Sequence, residues 1–189
     1  MKKVLFAALA AVTLSFSLAS YGQSTDMPVK TITSLDLPRY LGAWYEIAKF
    51  PNWFQKKCVG NTQAVYSLRP DGNLKVLNSC KTADGKVSEA EGTARQIGPK
   101  DSPKLEVRFA PAWLSFIPMV WGDYWLIDLD SQYQVAAVSD PQRQYLWVLS
   151  RTPQLDSKTY EALLGRLQAQ QFDVRKLELT EQSSPAQKN

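Results

Sequence analysis

The sequence predicts an all-β domain: an eight-stranded antiparallel up-and-down β-barrel with one C-terminal α-helix packed outside. Three observations carry this reading. Short apolar-alternating runs recur from residue 36 to about 151, hairpin-sized turn chemistry separates them, and one amphipathic stripe follows the last run. With 189 residues, 44% hydrophobic and 21% charged, the chain is long enough for one domain with a full core and short for two.

The candidate strands are 43–50, 60–69, 73–80, 86–97, 104–110, 122–129, 132–138 and 144–151. Between them lie Pro70-Asp71-Gly72, Ala83-Asp84-Gly85, Gly98-Pro99-Lys100-Asp101, Asp130-Ser131 and Asp140-Pro141. Connections this short pair neighbouring strands antiparallel in chain order. A flat sheet of eight such strands would leave two exposed edges, and closure removes both. An immunoglobulin-like sandwich would need long crossovers that these turns do not supply. After Thr152-Pro153, Asp156 or Ser157 can cap a helix on which Tyr160, Leu163, Leu164 and Leu167 form one apolar stripe. The opposite face has a glutamate, several glutamines and few bases, so the helix is expected against the barrel and not on a membrane.

At the N-terminus, Lys2 and Lys3 precede an uncharged run ending in Leu18-Ala19-Ser20, the pattern of a secretory signal peptide over residues 1–20. The run is at the lower limit for a membrane anchor. The next residue is Tyr21, where a lipoprotein would have cysteine, so the chain is expected to be periplasmic or secreted without a lipid anchor. Association with the outer membrane is the alternative. Residues 21–35 read as a flexible leader, 36–180 as the folded domain and 181–189 as a loose polar tail. Cleavage near Ser20 lowers the net charge from +4 to +2 by removing Lys2 and Lys3, too little to argue for nucleic acid.

The chain has no histidine, which excludes Ser-His-Asp and Cys-His catalysis and imidazole-ligated metal. Two cysteines cannot form a zinc or iron–sulfur site alone. No catalytic residue, metal or cofactor is assigned, and binding is the expected activity. In an oxidising compartment Cys58 and Cys80 are expected to pair. If Leu68 lies opposite Leu74, Thr62 lies opposite Cys80, with Cys58 a short bend away. Two free thiols are the other possibility.

A barrel of eight strands either fills with side chains or holds one small ligand. Tyr66, Phe109, Tyr124 and Trp147 are candidates for inward positions, with Asn78 as a polar contact; the alternative is that the aromatics fill the core. Glu46 shares the Trp44 face of its strand, as an unpaired acid or a partner of Arg95 or Arg108. Alternate connections fall at opposite ends, so the base collects the turns near Asp71, Lys100 and Asp130, and the rim collects 51–59, 81–85, 111–121 and 139–143. Two rim loops are unusually apolar, Pro51-Asn52-Trp53-Phe54 and Pro111 to Met119. Trp53, Phe54, Trp113 and Phe116 are expected at a contact surface: a ligand entrance, a transient membrane contact or a homodimer interface. Otherwise the longer loop folds inward as a lid.

Leu37-Pro38-Arg39-Tyr40-Leu41-Gly42-Ala43-Trp44-Tyr45-Glu46-Ile47-Ala48, with its Gly-x-Trp core, resembles the first lipocalin signature. Trp147-Val148-Leu149-Ser150-Arg151-Thr152-Pro153 resembles the third, and Leu129-Asp130-Ser131-Gln132-Tyr133 a degenerate second. The similarity is greatest to the bacterial and apolipoprotein D branches, helped by Lys104-Leu105-Glu106-Val107-Arg108-Phe109. The resemblance implies that Gly42, Trp44 and Arg151 are structural, the arginine lying across the tryptophan at the closed end. It implies Tyr66, Asn78, Phe109 and Trp147 as pocket residues, with Tyr124 a weaker assignment. It also implies carriage of small hydrophobic molecules such as fatty acids, phospholipids or lysophospholipids, with a role in envelope lipid storage or maintenance. The rival expectations are a docking or dimerising protein using the rim, and an isomerase or de-epoxidase using the Cys58 thiol.

Overall fold

The computed structural model describes residues 27–183. The signal peptide, Tyr21 and the last six residues of the tail lie outside the described residues. Eight antiparallel strands follow one another around a barrel: β1 (Gly42–Lys49), β2 (Cys58–Leu68), β3 (Leu74–Thr82), β4 (Val87–Gln96), β5 (Lys104–Arg108), β6 (Gly122–Leu129), β7 (Val135–Ser139) and β8 (Leu146–Ser150). β1 bonds to both β2 and β8, which closes the wall. A one-turn helix α1 (Leu37–Tyr40) precedes β1, and helix α2 (Ser157–Ala169) and a two-residue strand β9 (Glu178–Leu179) follow β8.

Local chemistry explains the turns. Gly72 takes φ +83° and the Asp71 carboxylate accepts the Asn73 N–H, so Leu68 pairs with Leu74 as expected. Further up, β2 slips between Gly60 and Gln63, where Asn61 takes φ +50°. Cys58 therefore lies within β2 opposite Thr82, not in a bend beyond it, and joins Cys80 in a disulfide with 5.5 Å between Cα atoms. Closing that loop contributes about 3 kcal/mol by chain entropy. β7 begins later than expected because the Asp130 carboxylate accepts the N–H groups of Gln132, Gln134 and Val135, holding 130–134 as a turn.

Apolar side chains form two cores. One fills the lower barrel; the other lies outside, where Leu163 and Leu167 of α2 cover Ala48, Ile127, Ala137 and Val148. The Asp156 side chain caps α2 by accepting the Thr159 N–H. Of the expected stripe, Leu163 and Leu167 are fully buried while Tyr160 and Leu164 are half-buried.

Both ends of the domain differ from expectation. Residues 27–35 are not a loose leader: the Ile32 N–H donates to Leu126 O at 2.9 Å, the Leu35 N–H donates to Asp101 O at 2.7 Å, and Leu35 is buried in the base beside Tyr40. Such a segment packs through isolated residues without a period, so alternation cannot reveal it. The start of the tail is also docked. β1 and β2 pair only through Gly42–Tyr45, and the chain end fills the gap above. Ala48 and Lys49 pair with β9, the Asn61 N–H donates to Glu181 O, and the Gln182 side chain donates to both Glu46 O and Thr62 O at 2.8 Å.

Candidate binding cup

Register and alternation identify the inward face. Trp44 lies opposite Ala64, Ala64 opposite Asn78, and Asn78 opposite Ala90. Tyr66, Val76 and Gly92 align in the same way, as do Leu74, Ala94 and Val107. Leu105 with Tyr124, Leu126 with Val138, Val138 with Trp147, and Ala136 with Leu149 complete the ring.

The lower part of this interior is solid. Trp44, Tyr40, Leu74, Val76, Ala94, Leu105, Leu126 and Val138 are all buried. Three phenols join at the floor, with Tyr124 Oη 2.8 Å from Tyr40 Oη and 2.7 Å from Tyr66 Oη. Burial pushes the Tyr66 hydroxyl up to about 12 and those of Tyr40 and Tyr124 well above the ordinary phenol value. They are neutral hydrogen-bonding groups, not proton-transfer groups.

Higher up the same wall is open. Ala90 is exposed although its register fixes it inward, and Phe109 is 45% exposed. The Phe109 ring lies flat against Gly92, where a Cβ would come within 2.8 Å of Cε1; only glycine admits this contact. Asn78 is half-buried, and its Oδ1 is enclosed without a hydrogen-bond partner. The interior is therefore a cup with a sealed aromatic floor, small residues on β4 and one unsatisfied polar group on β3.

A polar network spans one side of the mouth. Glu46 is buried, and its carboxylate accepts from Gln55 Nε2 at 2.7 Å and from Thr180 Oγ1 at 2.6 Å. Gln55 Oε1 in turn accepts from Trp147 Nε1 at 3.0 Å and Asn52 Nδ2 at 2.6 Å. Glu46 thus ties the 50–57 loop, the inward Trp147 and the chain end together. Neither alternative for Glu46 is found: it is not an unpaired acid, and its partners are Gln55 and Thr180, not Arg95 or Arg108. Both arginines lie on the outer wall beside the Trp121 ring, and Arg95 bonds Glu106. Burial holds the Glu46 carboxyl above its ordinary value of 4.5, against the opposing pull of Thr180 and Gln55. A raised acid stabilises the fold below its unfolded value and loses that contribution as pH rises through the folded value. Glu46→Gln should therefore gain in melting temperature relative to the parent as pH rises from acid to neutral. Thermal melts across that range check this; a parallel offset at every pH would show that Glu46 does not titrate there.

The expected site residues fall into three places. Tyr66 and Tyr124 belong to the floor. Asn78, Phe109 and Trp147 belong to the wall above it, with Trp147 stacked on Tyr145 at 5.8 Å. Trp53, Phe54, Trp113 and Phe116 belong to the mouth loops; Phe54 reaches Trp147 at 6.3 Å, and Trp53 packs edge-on against Phe54. The 111–121 loop does not fold inward as a lid. It forms two short 3-10 turns, Ala112–Leu114 and Pro118–Val120, that leave Trp113, Phe116 and Met119 exposed. Sequence reasoning missed Ala90 and Gly92, whose signal is the absence of bulk at inward parity, and Gln55 and Thr180, for which no local signal exists. Among the described residues no cluster of three acidic or thiol side chains is positioned to hold a metal ion.

At the closed end the Arg151 guanidinium carbon lies 3.9 Å over the Trp44 ring. Arg151 also donates to Ala43 O at 2.8 Å and Arg39 O at 2.7 Å. A family model described as a lipocalin-like domain matches residues 35–182. The chain is a lipocalin. This lipocalin is 43% identical over 164 residues to temperature-induced lipocalin-1 of Arabidopsis thaliana, covering 85% of the chain and 87% of that relative. It is 36% identical over 170 residues to outer membrane lipoprotein Blc of Escherichia coli K12 (89% and 92% covered) and 35% identical over 170 residues to apolipoprotein D of Macaca fascicularis (86% and 84%). Among solved structures it superposes on insecticyanin from the tobacco hornworm Manduca sexta with a TM-score of 0.63 at 22% identity, covering 82% of the chain and 85% of that one. That likeness speaks for the lipocalin fold alone.

Proposed function

We propose that this lipocalin binds and carries a single small hydrophobic molecule, a fatty acid, phospholipid or lysophospholipid, with its acyl chain in the cup and its head near the mouth. The observation that carries the reading is the change along one inward face from a sealed floor to an accessible wall bearing the unpaired Asn78 Oδ1. Each methylene buried contributes about 0.8 kcal/mol, so about ten contribute about 8 kcal/mol before ordering costs, enough for micromolar affinity. The apolar mouth loops, with Trp53, Phe54, Trp113 and Phe116, guide entry and give contact with a membrane. The names of the relatives, an outer membrane lipoprotein and an apolipoprotein, support an exported protein that stores or maintains envelope lipid. A carrier is favoured over an enzyme because the thiol candidate Cys58 is held in the disulfide and the interior carboxylate Glu46 has donors on both oxygens.

Titration with an environment-sensitive fluorescent fatty acid tests the proposal, with saturable one-to-one uptake expected. Asn78→Leu removes the enclosed unpaired oxygen, so it should raise folding stability by about 1 kcal/mol while weakening uptake about ten-fold. Unchanged affinity would remove Asn78 from the site; no uptake of any acyl ligand by the parent would end the carrier reading.

A further inference from the structure

Exposed apolar surface is distributed unevenly along the barrel axis. The four connections at the base are charge-mixed, with Asp71, Asp101, Asp130 and Asp156 set among Arg69, Lys100 and Arg151. The two long loops at the mouth, 50–57 and 109–121, contain no acidic residue. Lys56 and Lys57 end the first of these loops, and Lys81 and Lys176 stand near the same end. Among the described residues none of these four lysines forms an ion pair, whereas their neighbours Lys49, Lys86 and Arg175 do, with Glu178, Asp84 and Asp173.

The exposed aromatics lie at that same end. Trp53 is 73% exposed, Trp113 73%, Phe116 78% and Met119 93%, a degree of exposure far above what isolated surface hydrophobics need explaining. The backbone presents them deliberately: Leu114 and Ser115 donate back to Pro111 O and Ala112 O, and Trp121 Nε1 donates to Ser115 O at 2.9 Å. The anchoring Trp121 ring is itself held at 4.0 Å by the Arg95 guanidinium. This loop is held from below with its apolar tip outward.

We propose that the mouth of this lipocalin is a docking face for an anionic lipid bilayer, with Trp113, Phe116 and Met119 inserted among the acyl chains and Lys56 and Lys57 at the headgroups. Aromatic insertion with flanking cations is the chemistry that anionic interfaces recognise. The exposed aromatic tips lie at the mouth, so the barrel stands with its opening toward the lipid. The inference rests on the carrier reading for its purpose, although docking is measurable without cargo.

The test is co-sedimentation of the mature chain with vesicles of phosphatidylcholine alone and of phosphatidylcholine with about one-third phosphatidylglycerol. Binding to the anionic vesicles should be about ten-fold tighter, and should weaken with added salt. Trp113→Ser with Phe116→Ser should lose at least ten-fold on both vesicles. Lys56→Glu with Lys57→Glu should remove the anionic preference, and Lys100→Glu at the base should leave binding unchanged. No sedimentation with either vesicle, or an equal loss in the base variant, overturns the proposal. So does a concentration-dependent dimer that the Trp113→Ser, Phe116→Ser variant abolishes, because a second copy would then cover the aromatics. Fatty-acid titration in vesicle-free buffer separates this outcome from failure of the cup itself.

Discussion

Trp44→Ala should lower folding stability by about 3–5 kcal/mol, the range for removing a fully buried aromatic side chain. Trp44 has no exposed surface, lies 4.9 Å from the Tyr40 ring, and donates its indole N–H to Tyr40 O at 2.8 Å. It also carries the Arg151 guanidinium, an arrangement worth about 0.5–2 kcal/mol. Truncation opens a cavity between floor and base, orphans the Tyr40 carbonyl and leaves Arg151 stacked on nothing. For a domain of this size each kcal/mol moves the melting temperature by about 2–4 °C, so a drop of about 10 °C is expected with the disulfide intact. Denaturant unfolding measures the free energy directly. A loss below about 1 kcal/mol would mean that the base is sealed by α1 and Leu35 without the indole.

Ala90→Trp should abolish fatty-acid uptake, with at least a hundred-fold loss of affinity, while changing stability by no more than about 1 kcal/mol. The separation follows from Ala90 being inward by register yet accessible. An indole there meets the open upper wall instead of a packed core, so little overpacking results, but it occupies the height at which Asn78 and Phe109 face the interior. The same substitution two inward positions lower, at Ala94, would collide with buried neighbours and unfold the barrel. The paired readouts are a fluorescence titration and a thermal melt on the same sample. Retained uptake with an intact melt would place the ligand elsewhere, for instance in the cleft of about 350 Å³ beside Trp53, Gln55 and Glu178.

How legible the molecule is in its sequence depends on range. The strands and their order follow from turns such as Arg69 to Asn73, where every determinant lies within five residues. That Trp44 and Arg151 share the base follows from strand direction, since an upward first strand and a downward eighth end together; that they stack is what the resemblance to the lipocalin signatures implies. The floor is only half legible: Tyr66 and Tyr124 read as pocket lining, because parity says which side chains point inward and not how deep the packing reaches. The Glu46 network is invisible. Its partners lie 9 and 134 residues away, and their meeting depends on a break in β1–β2 pairing that no local pattern encodes. The exposed tip of the 111–121 loop is legible as apolar composition, but whether it folds in or out is decided by the Trp121 anchor on the outer wall.

The filling of the gap above the β1–β2 pairs by residues 178–183 has a consequence for biosynthesis. A protein emerges from the ribosome N-terminus first, and here the segment that finishes the container's side appears after all eight barrel strands. The side of the container is therefore left open in a nascent polypeptide until residues 178–183 arrive. A fusion placed directly after Ser183 would burden that same closing step.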